Sequence, residues 1–279
     1  MTLLVFGRTG QVARELQLSD GVRALGRDEA DLSVEGVVAA AIDSFSPVAV
    51  INAAAYTAVD RAESEAAQAR RVNAAAPGEM ARACALRGIP FLHVSTDYVF
   101  DGSGSAPWRE TDPVAPRNVY GESKLAGERA VIDAGGRHAI LRTAWVFSAH
   151  GRNFVRTMLH LSESRDRLDV VADQVGCPTP AADIAATLLA MAKAMIGGQA
   201  GGLYHYAGQP PTSWAGFARE IFGRAGRTTL VQDITTADYP TPAERPRNSR
   251  LDCSAIGRDF GIAPPDWRAG LDKVIAALG

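Results

Sequence analysis

The chain has 279 residues, 47% of them hydrophobic and 22% charged, with a net charge of −2. That supplies a sizeable core for one large or two modest domains, and the balanced charge without a basic stripe argues against a nucleic-acid partner. No segment approaches the ~18 apolar residues of a membrane span, and Cys84, Cys177 and Cys253 stand too far apart for a metal or disulfide pattern, so a cytoplasmic protein with free thiols is expected.

In chain order, Leu3 to Phe6 predicts a first strand and Gly10 to Leu18 a helix. "VRAL" predicts a second strand, and "SVEGVVAAAIDSF" a helix capped by Ser33. "VAVINAAA" follows as strand three. A long helix should cover Glu63 to Arg87, kinked or split by Pro77. Pro90 to Thr96 is strand four, the segment from Asn118 opens a helix, and His138 to Phe147 is strand five. Continuous apolar strands alternating with helices predict an α/β fold, a Rossmann-type doubly wound parallel sheet. Beyond Phe147 the rhythm loosens into helices, short strands and Pro-rich loops, a smaller C-terminal α+β substrate domain. Residues 1–147, with roughly 168–200, are expected to form the dinucleotide-binding domain. Roughly 148–167 and 201–279 are expected to form the other.

"VFGRTGQVA" places Gly7 directly after strand one, with Gly10 and Ala13 at steps of three. Glycines there let the backbone turn tightly and approach a pyrophosphate, and a small third residue lets helix and strand pack closely. The backbone N–H groups of Gln11 and Val12 should face the phosphates. An acidic residue would normally close strand two and hold the ribose; here Gly26 or Arg27 does. A guanidinium at that place suits a 2′-phosphate and favours NADPH, with NADH left open as an alternative. Asp31 and Leu32 offer a carboxylate and an apolar side chain to an adenine.

Tyr120 and Lys124 stand one helical turn apart. A free tyrosine is a poor proton donor or acceptor at neutral pH, and a nearby cation brings its pKa down. A hydroxyl at the end of strand four, Thr96 or Ser95 depending on register, could share the same carbonyl oxygen. His93, mid-strand, reads as a packed, hydrogen-bonded histidine.

The glycine loop, "STDYVFDG" and "VYGESKLAGE" together resemble the extended short-chain dehydrogenase/reductase superfamily. More narrowly, the chain is similar to the dTDP-4-dehydrorhamnose reductases. "NAAAYTAVDRAE", "LRTAWVF", "DQVGCPTPAADIA" and "PTPAERPRNSRL" continue that likeness in order over nearly the whole length. The resemblance implies reduction of the C4 ketone of dTDP-4-dehydro-β-L-rhamnose. Tyr120 would be the proton donor, Lys124 the ribose-orienting cation, and Thr96 the hydroxyl at the reacting oxygen. It implies a cofactor cradle of Gly10, Gln11, Val12, Asp31 and Leu32, completed by the strand-three end at Ala53, Ala54 and Ala55. Asp97, Tyr98, Val59 and Trp145 would contact the nucleotide sugar. Arg245, Arg247 and Arg250 suit its diphosphate, Arg247 foremost, at least one of the three being a structural ion-pair residue. The resemblance leaves a monomer or a homodimer open. Some relatives bridge a dimer with magnesium through a C-terminal glutamate, but Ala277 stands near that place, so no metal site is expected. Two alternatives share the fold: a sugar-nucleotide epimerase or dehydratase, and a silent nucleotide-binding subunit like that of methionine adenosyltransferase.

Overall fold

The structure is a computed structural model and describes residues 2–279. The elements run β1 (Leu3–Phe6), α1 (Gln11–Leu16), β2 (Val22–Leu25), α2 (Val37–Phe45), β3 (Ala49–Asn52), α3 (Val59–Ala62), α4 (Ala66–Arg70), α5 (Ala76–Leu86), β4 (Phe91–Thr96), α6 (Val119–Asp133) and β5 (His138–Thr143). They continue as β6 (Val146–Phe147), α7 (Phe154–Ser162), β7 (Arg167–Val171), β8 (Val175–Gly176), β9 (Thr179–Pro180), α8 (Ala181–Ile196), β10 (Gly202–His205), β11 (Thr212–Ser213), α9 (Trp214–Arg224), β12 (Leu230–Ile234), β13 (Asn248–Ser249), α10 (Ser254–Phe260) and α11 (Trp267–Leu278).

Six strands form one parallel sheet in the order β2-β1-β3-β4-β5-β10. Successive side chains of a strand point to opposite faces, so burial on both faces requires an unbroken apolar run. Val5, Ile51, Leu92 and Leu141 pack on one face with Ile184 and Leu188 of α8. Leu4, Phe6, Val50 and Phe91 pack on the other with Val38, Ile42 and Met80. The strand order reverses between β1 and β3, and ligands bind at such a crevice, beyond the carboxyl ends of the strands. A third cluster, built from Phe147, Val155, Phe217, Ile221 and Trp267, lies under the C-terminal elements.

The structure departs from the expected elements where tertiary contacts decide. Ser33 does not cap α2: its amide and hydroxyl both bond the Asp31 carboxylate, and the helix starts after Gly36, which has φ 79°. The long helix splits ahead of Pro77 through a π turn at Arg71–Ala75. Strand five breaks at Trp145, whose φ of 48° no regular strand accepts. Sheet membership also crosses the expected domain boundaries. β10 belongs to the large sheet, while β7 pairs with β12 outside it.

Candidate active site

The glycine turn sits at the crevice. Gly7 has φ 109°, and a Cβ there would lie 3.1 Å from the Ala54 nitrogen, so only glycine lets β1 turn this close to the end of β3. Gly10 begins α1 with no side-chain cap and no acidic residue in the first turn, leaving the first N–H groups of the helix available to an anion. Gln11 is engaged elsewhere: its side chain donates to the Val146 carbonyl and accepts from Ser148 and Asn153, tying the turn to the loop after β6. Val12 packs in the core.

The second half of the site lies at the end of β4. Thr96 caps the short 3₁₀ turn Asp97–Val99, its hydroxyl accepting the Tyr98 N–H at 3.2 Å and donating to the Asp97 carboxylate at 3.1 Å. The Tyr120 phenol stands near the same hydroxyl, which favours the phenolate against the effect of burial. Tyr98 stands edge-on to Tyr120, ring centres 5.4 Å apart. Asn118 caps α6 through the Gly121 N–H at 2.8 Å and sets the first turn from which Tyr120 projects. Gly121 and Gly127 are glycines for space, since a Cβ would strike the Tyr98 and Asn73 carbonyl oxygens respectively. Asn73, inside the π turn, grips the backbone N–H and carbonyl of Tyr56 and donates to Ser123 on α6 at 2.9 Å.

Burial pushes the Tyr120 phenol up to about 12, against the pull of Thr96, so Tyr120 carries its proton at neutral pH. Lys124 is 2% exposed and has no carboxylate partner among the described residues; burial lowers it to about 8. Its Nζ donates to the Val94 carbonyl at 2.7 Å and lies 3.3 Å from His93 Nε2. Burial raises Asp97 to about 6, and one of its carboxylate oxygens has no protein partner. The arrangement is a proton-bearing phenol, a hydroxyl and a buried amine, set beside a glycine cradle.

The model of the RmlD substrate binding domain matches residues 1–279. A dTDP-4-dehydrorhamnose reductase of Burkholderia thailandensis is 47% identical, over 100% of this chain and 99% of its own. One from Sinorhizobium fredii is 44% identical, over 100% and 98%. The chain belongs to the dTDP-4-dehydrorhamnose reductase family. Among solved structures, a family member from Clostridium acetobutylicum superposes with a TM-score of 0.93 at 35% identity, covering 100% of this chain and 99% of that one. Another, from Bacillus anthracis in complex with NADP, gives 0.93 at 31%, covering 99% and 100%.

Against that family pattern, the structure gathers Gly7, Gly10, Ala53 and Ala54 into one cradle and places Thr96, Asp97, Tyr98 and Tyr120 in another group beside Lys124. Ala55 continues the strand-three end, half-buried. Leu32 packs with Phe6 and Leu25 as core. Arg27 points outward, 77% exposed, with only a 3.7 Å approach to Asp31. The guanidinium at the end of β2 belongs to Arg8 instead. A Cβ on Gly26 would lie 2.7 Å from Arg8, whose head bonds Asp28 at 2.6 Å and Glu29 at 2.9 Å.

On the substrate side, Val59 starts α3, and the next residue, Asp60, pairs with Arg245 at 2.8 Å. Arg245 is thus the structural ion-pair residue of the three arginines. Arg250 is occupied by the Ser105 carbonyl and Asn248. Arg247 is exposed and, among the described residues, has no ion-pair or side-chain hydrogen-bond partner. Two residues on, the buried Ser249 lies near enough to Asp97 to favour its carboxylate against the effect of burial. Trp145 stacks on Trp214 with ring centres 3.5 Å apart, so one indole face is already covered. No local pattern points to Arg8, Asn73 or Trp214, because each acts through a fold contact.

Proposed function

We propose that Tyr120, Thr96 and Lys124 carry the reaction of this family in this chain: reduction of the C4 ketone of dTDP-4-dehydro-β-L-rhamnose to dTDP-L-rhamnose, with NADPH as the reductant. The residues present fit the cofactor. Gly7 and Gly10 leave backbone exposed where a pyrophosphate needs close approach, and the uncapped start of α1 offers N–H groups to it. When bound, the nicotinamide supplies the hydride; the chain supplies the proton and the positioning.

Tyr120 delivers the phenolic proton to the oxygen that becomes the product hydroxyl. Its raised pKa keeps that proton in place at neutral pH until negative charge develops on the substrate. Thr96 turns its hydroxyl proton from Asp97 to the same oxygen, its own oxygen held by the Tyr98 N–H. Lys124 holds the ribose and supplies positive charge beneath Tyr120. Asp97, Tyr98, Val59 and Trp145 shape the sugar-nucleotide pocket, and Arg247, as the unpartnered arginine of its segment, meets the diphosphate. All these groups come from one chain, so a monomer and a homodimer of independent sites serve equally.

The observation that supports the reading most is the convergence of Thr96, Tyr120 and Lys124 at the carboxyl end of β4, beside a cradle built for a dinucleotide. The test follows NADPH oxidation by the purified protein with enzymatically generated dTDP-4-dehydro-L-rhamnose, with the product identified. Stoichiometric formation of dTDP-L-rhamnose is expected. Tyr120→Phe keeps the ring, loses the proton, and should lower kcat by roughly 10² or more with NADPH affinity little changed. Nucleotide binding without turnover in the wild type would overturn the reading.

A further inference from the structure

A chain of buried polar groups runs from the cofactor cradle to Lys124, and its hydrogen bonds have only one consistent direction. Asn52 and His93 face each other in register on β3 and β4, both 0% exposed. The Ala54 backbone N–H can only donate, and the atom it meets at 3.1 Å is the Asn52 side-chain oxygen. The amide nitrogen therefore faces His93 Nδ1, at 3.1 Å, and must donate to it. Burial, and then the neighbouring Lys124, hold the imidazole neutral. Its single proton is left on Nε2, pointing at Lys124 Nζ 3.3 Å away.

An N–H aimed at an ammonium sets two donors against each other. Aimed at the lone pair of a neutral amine, it is a hydrogen bond. The remaining contact of Nζ, to the Val94 carbonyl, suits an amine donor. For His93 to welcome the ammonium, its proton must move to Nδ1 and the Asn52 amide must turn over, which breaks the bond to Ala54. We propose that Asn52 and His93 are positioning residues that lock one imidazole tautomer against Lys124, hold its Nζ at the boundary between amine and ammonium, and so set the basic limb of the enzyme's pH dependence.

The other charges around Lys124 do not provide this control. Glu128, on the same helix, favours the ammonium, but Arg142 of β5 takes both its oxygens and Ser95 a third bond. Tyr120, on the same helix, retains its proton at neutral pH, and Asp97, after β4, accepts from the Thr96 hydroxyl. The elements packed against α6 use their charges elsewhere: Asp60 of α3 with Arg245, Arg61 with Glu65, Arg70 of α4 with Glu122, and Arg71 of the π turn with Glu79 of α5. A lysine near 8 agrees with the geometry.

The inference rests on the functional reading above, and its test separates the two. First, ¹⁵N NMR of the histidine-labelled, full-length wild type reads the tautomer without any turnover. A protonated Nε2 and a bare Nδ1 on His93 are expected from pH 6 to 9; a protonated Nδ1 or an imidazolium overturns the proposal. Second, kcat/KM is measured against pH for wild type and for His93→Gln, whose carbonyl can accept from the ammonium, with His93→Phe as a ring-preserving second variant. The basic limb should move upward by about one pH unit in His93→Gln, and upward in His93→Phe. A limb that coincides with wild type, or moves down, overturns the proposal, because lost packing alone would scale the profile without moving it. Absence of turnover in the wild type would refute the reductase reading and leave the NMR result standing.

Discussion

Lys124 and Arg142 are both cations almost wholly removed from water, 2% and 3% exposed, against the same stretch of β4. Their surroundings are opposite. Arg142 has both oxygens of Glu128 at 2.9 and 2.6 Å, lies over the Phe100 ring at 5.0 Å, and touches His205. Lys124 has one carbonyl and the proton-bearing side of a histidine. A buried charge whose every donor is satisfied holds a structure together and does no chemistry. A buried amine left without a counter-ion is costly to charge, and that cost is what lets its protonation state respond to a ligand.

Breaking each cation in turn sharpens the contrast, and the largest effect is expected at Arg142. Arg142→Met leaves Glu128 ionised and unpaired in the interior, so unfolding free energy in urea should fall by about 3–5 kcal/mol. Adding Glu128→Leu should recover most of that loss, since the penalty belongs to the orphaned partner. Lys124→Met exchanges an unpaired amine for an apolar side chain of similar reach. It should change stability by less than about 1 kcal/mol while lowering kcat by roughly 10² or more. Equal destabilisation by the two methionine variants would mean that Lys124 is as structural as Arg142.

The carboxylates repeat the contrast more weakly. Glu128 is paired; Asp97 is 3% exposed, has one oxygen unpartnered, and is raised to about 6. An acid whose folded pKa lies above its unfolded value, near 3.9, binds its proton more tightly in the fold. Its ionisation therefore costs nothing below pH 4, costs progressively more between pH 4 and 6, and costs the full amount above that. Asp97→Asn should raise stability by about 2 kcal/mol at pH 8 and by almost nothing at pH 4. Urea midpoints at both values check it; a gain of the same size at both would trace the effect to packing instead.

How much of this was legible in the sequence follows from where each feature is decided. The sheet was readable because a strand buried on both faces must be apolar at every position, and "LLVF", "VAVINAAA" and "PFLHVST" are nearly so. Tyr120 and Lys124 were readable because one helical turn separates them. The break at Trp145 was not, since nothing in "LRTAWVF" foretells a φ of 48°, a strain of order 1–3 kcal/mol held by the stack on Trp214. Nor was the π turn, which forms where Asn73 reaches both Tyr56 and Ser123. His93 reads as a packed histidine, and it is one; the direction of its proton comes from an amide 41 residues away on the neighbouring strand.

The smallest effect concerns two arginines near the surface. Arg27 follows β2 in sequence, but its side chain leaves the strand end, while Arg8 reaches across Gly26 from the glycine turn. A 2′-phosphate at the end of β2 would meet Arg8, and would meet it already shared between Asp28 and Glu29. Those carboxylates also suit the plain ribose hydroxyls of NADH, so only a modest preference between the two cofactors is expected. Arg8→Ala should cut the NADPH-to-NADH ratio of kcat/KM by about tenfold, because it removes a charge-assisted contact that only the phosphate makes. Arg27→Ala should change it less than about twofold, as expected for an exposed residue outside the contact. The Arg8 effect should shrink in high salt, since both partners are open to solvent. A ratio that follows Arg27 instead would mean that the loop after β2 folds back over the bound nucleotide. A ratio indifferent to both would mean that no guanidinium reads the phosphate, and that Asp28 and Glu29, selecting for the ribose hydroxyls, set the preference.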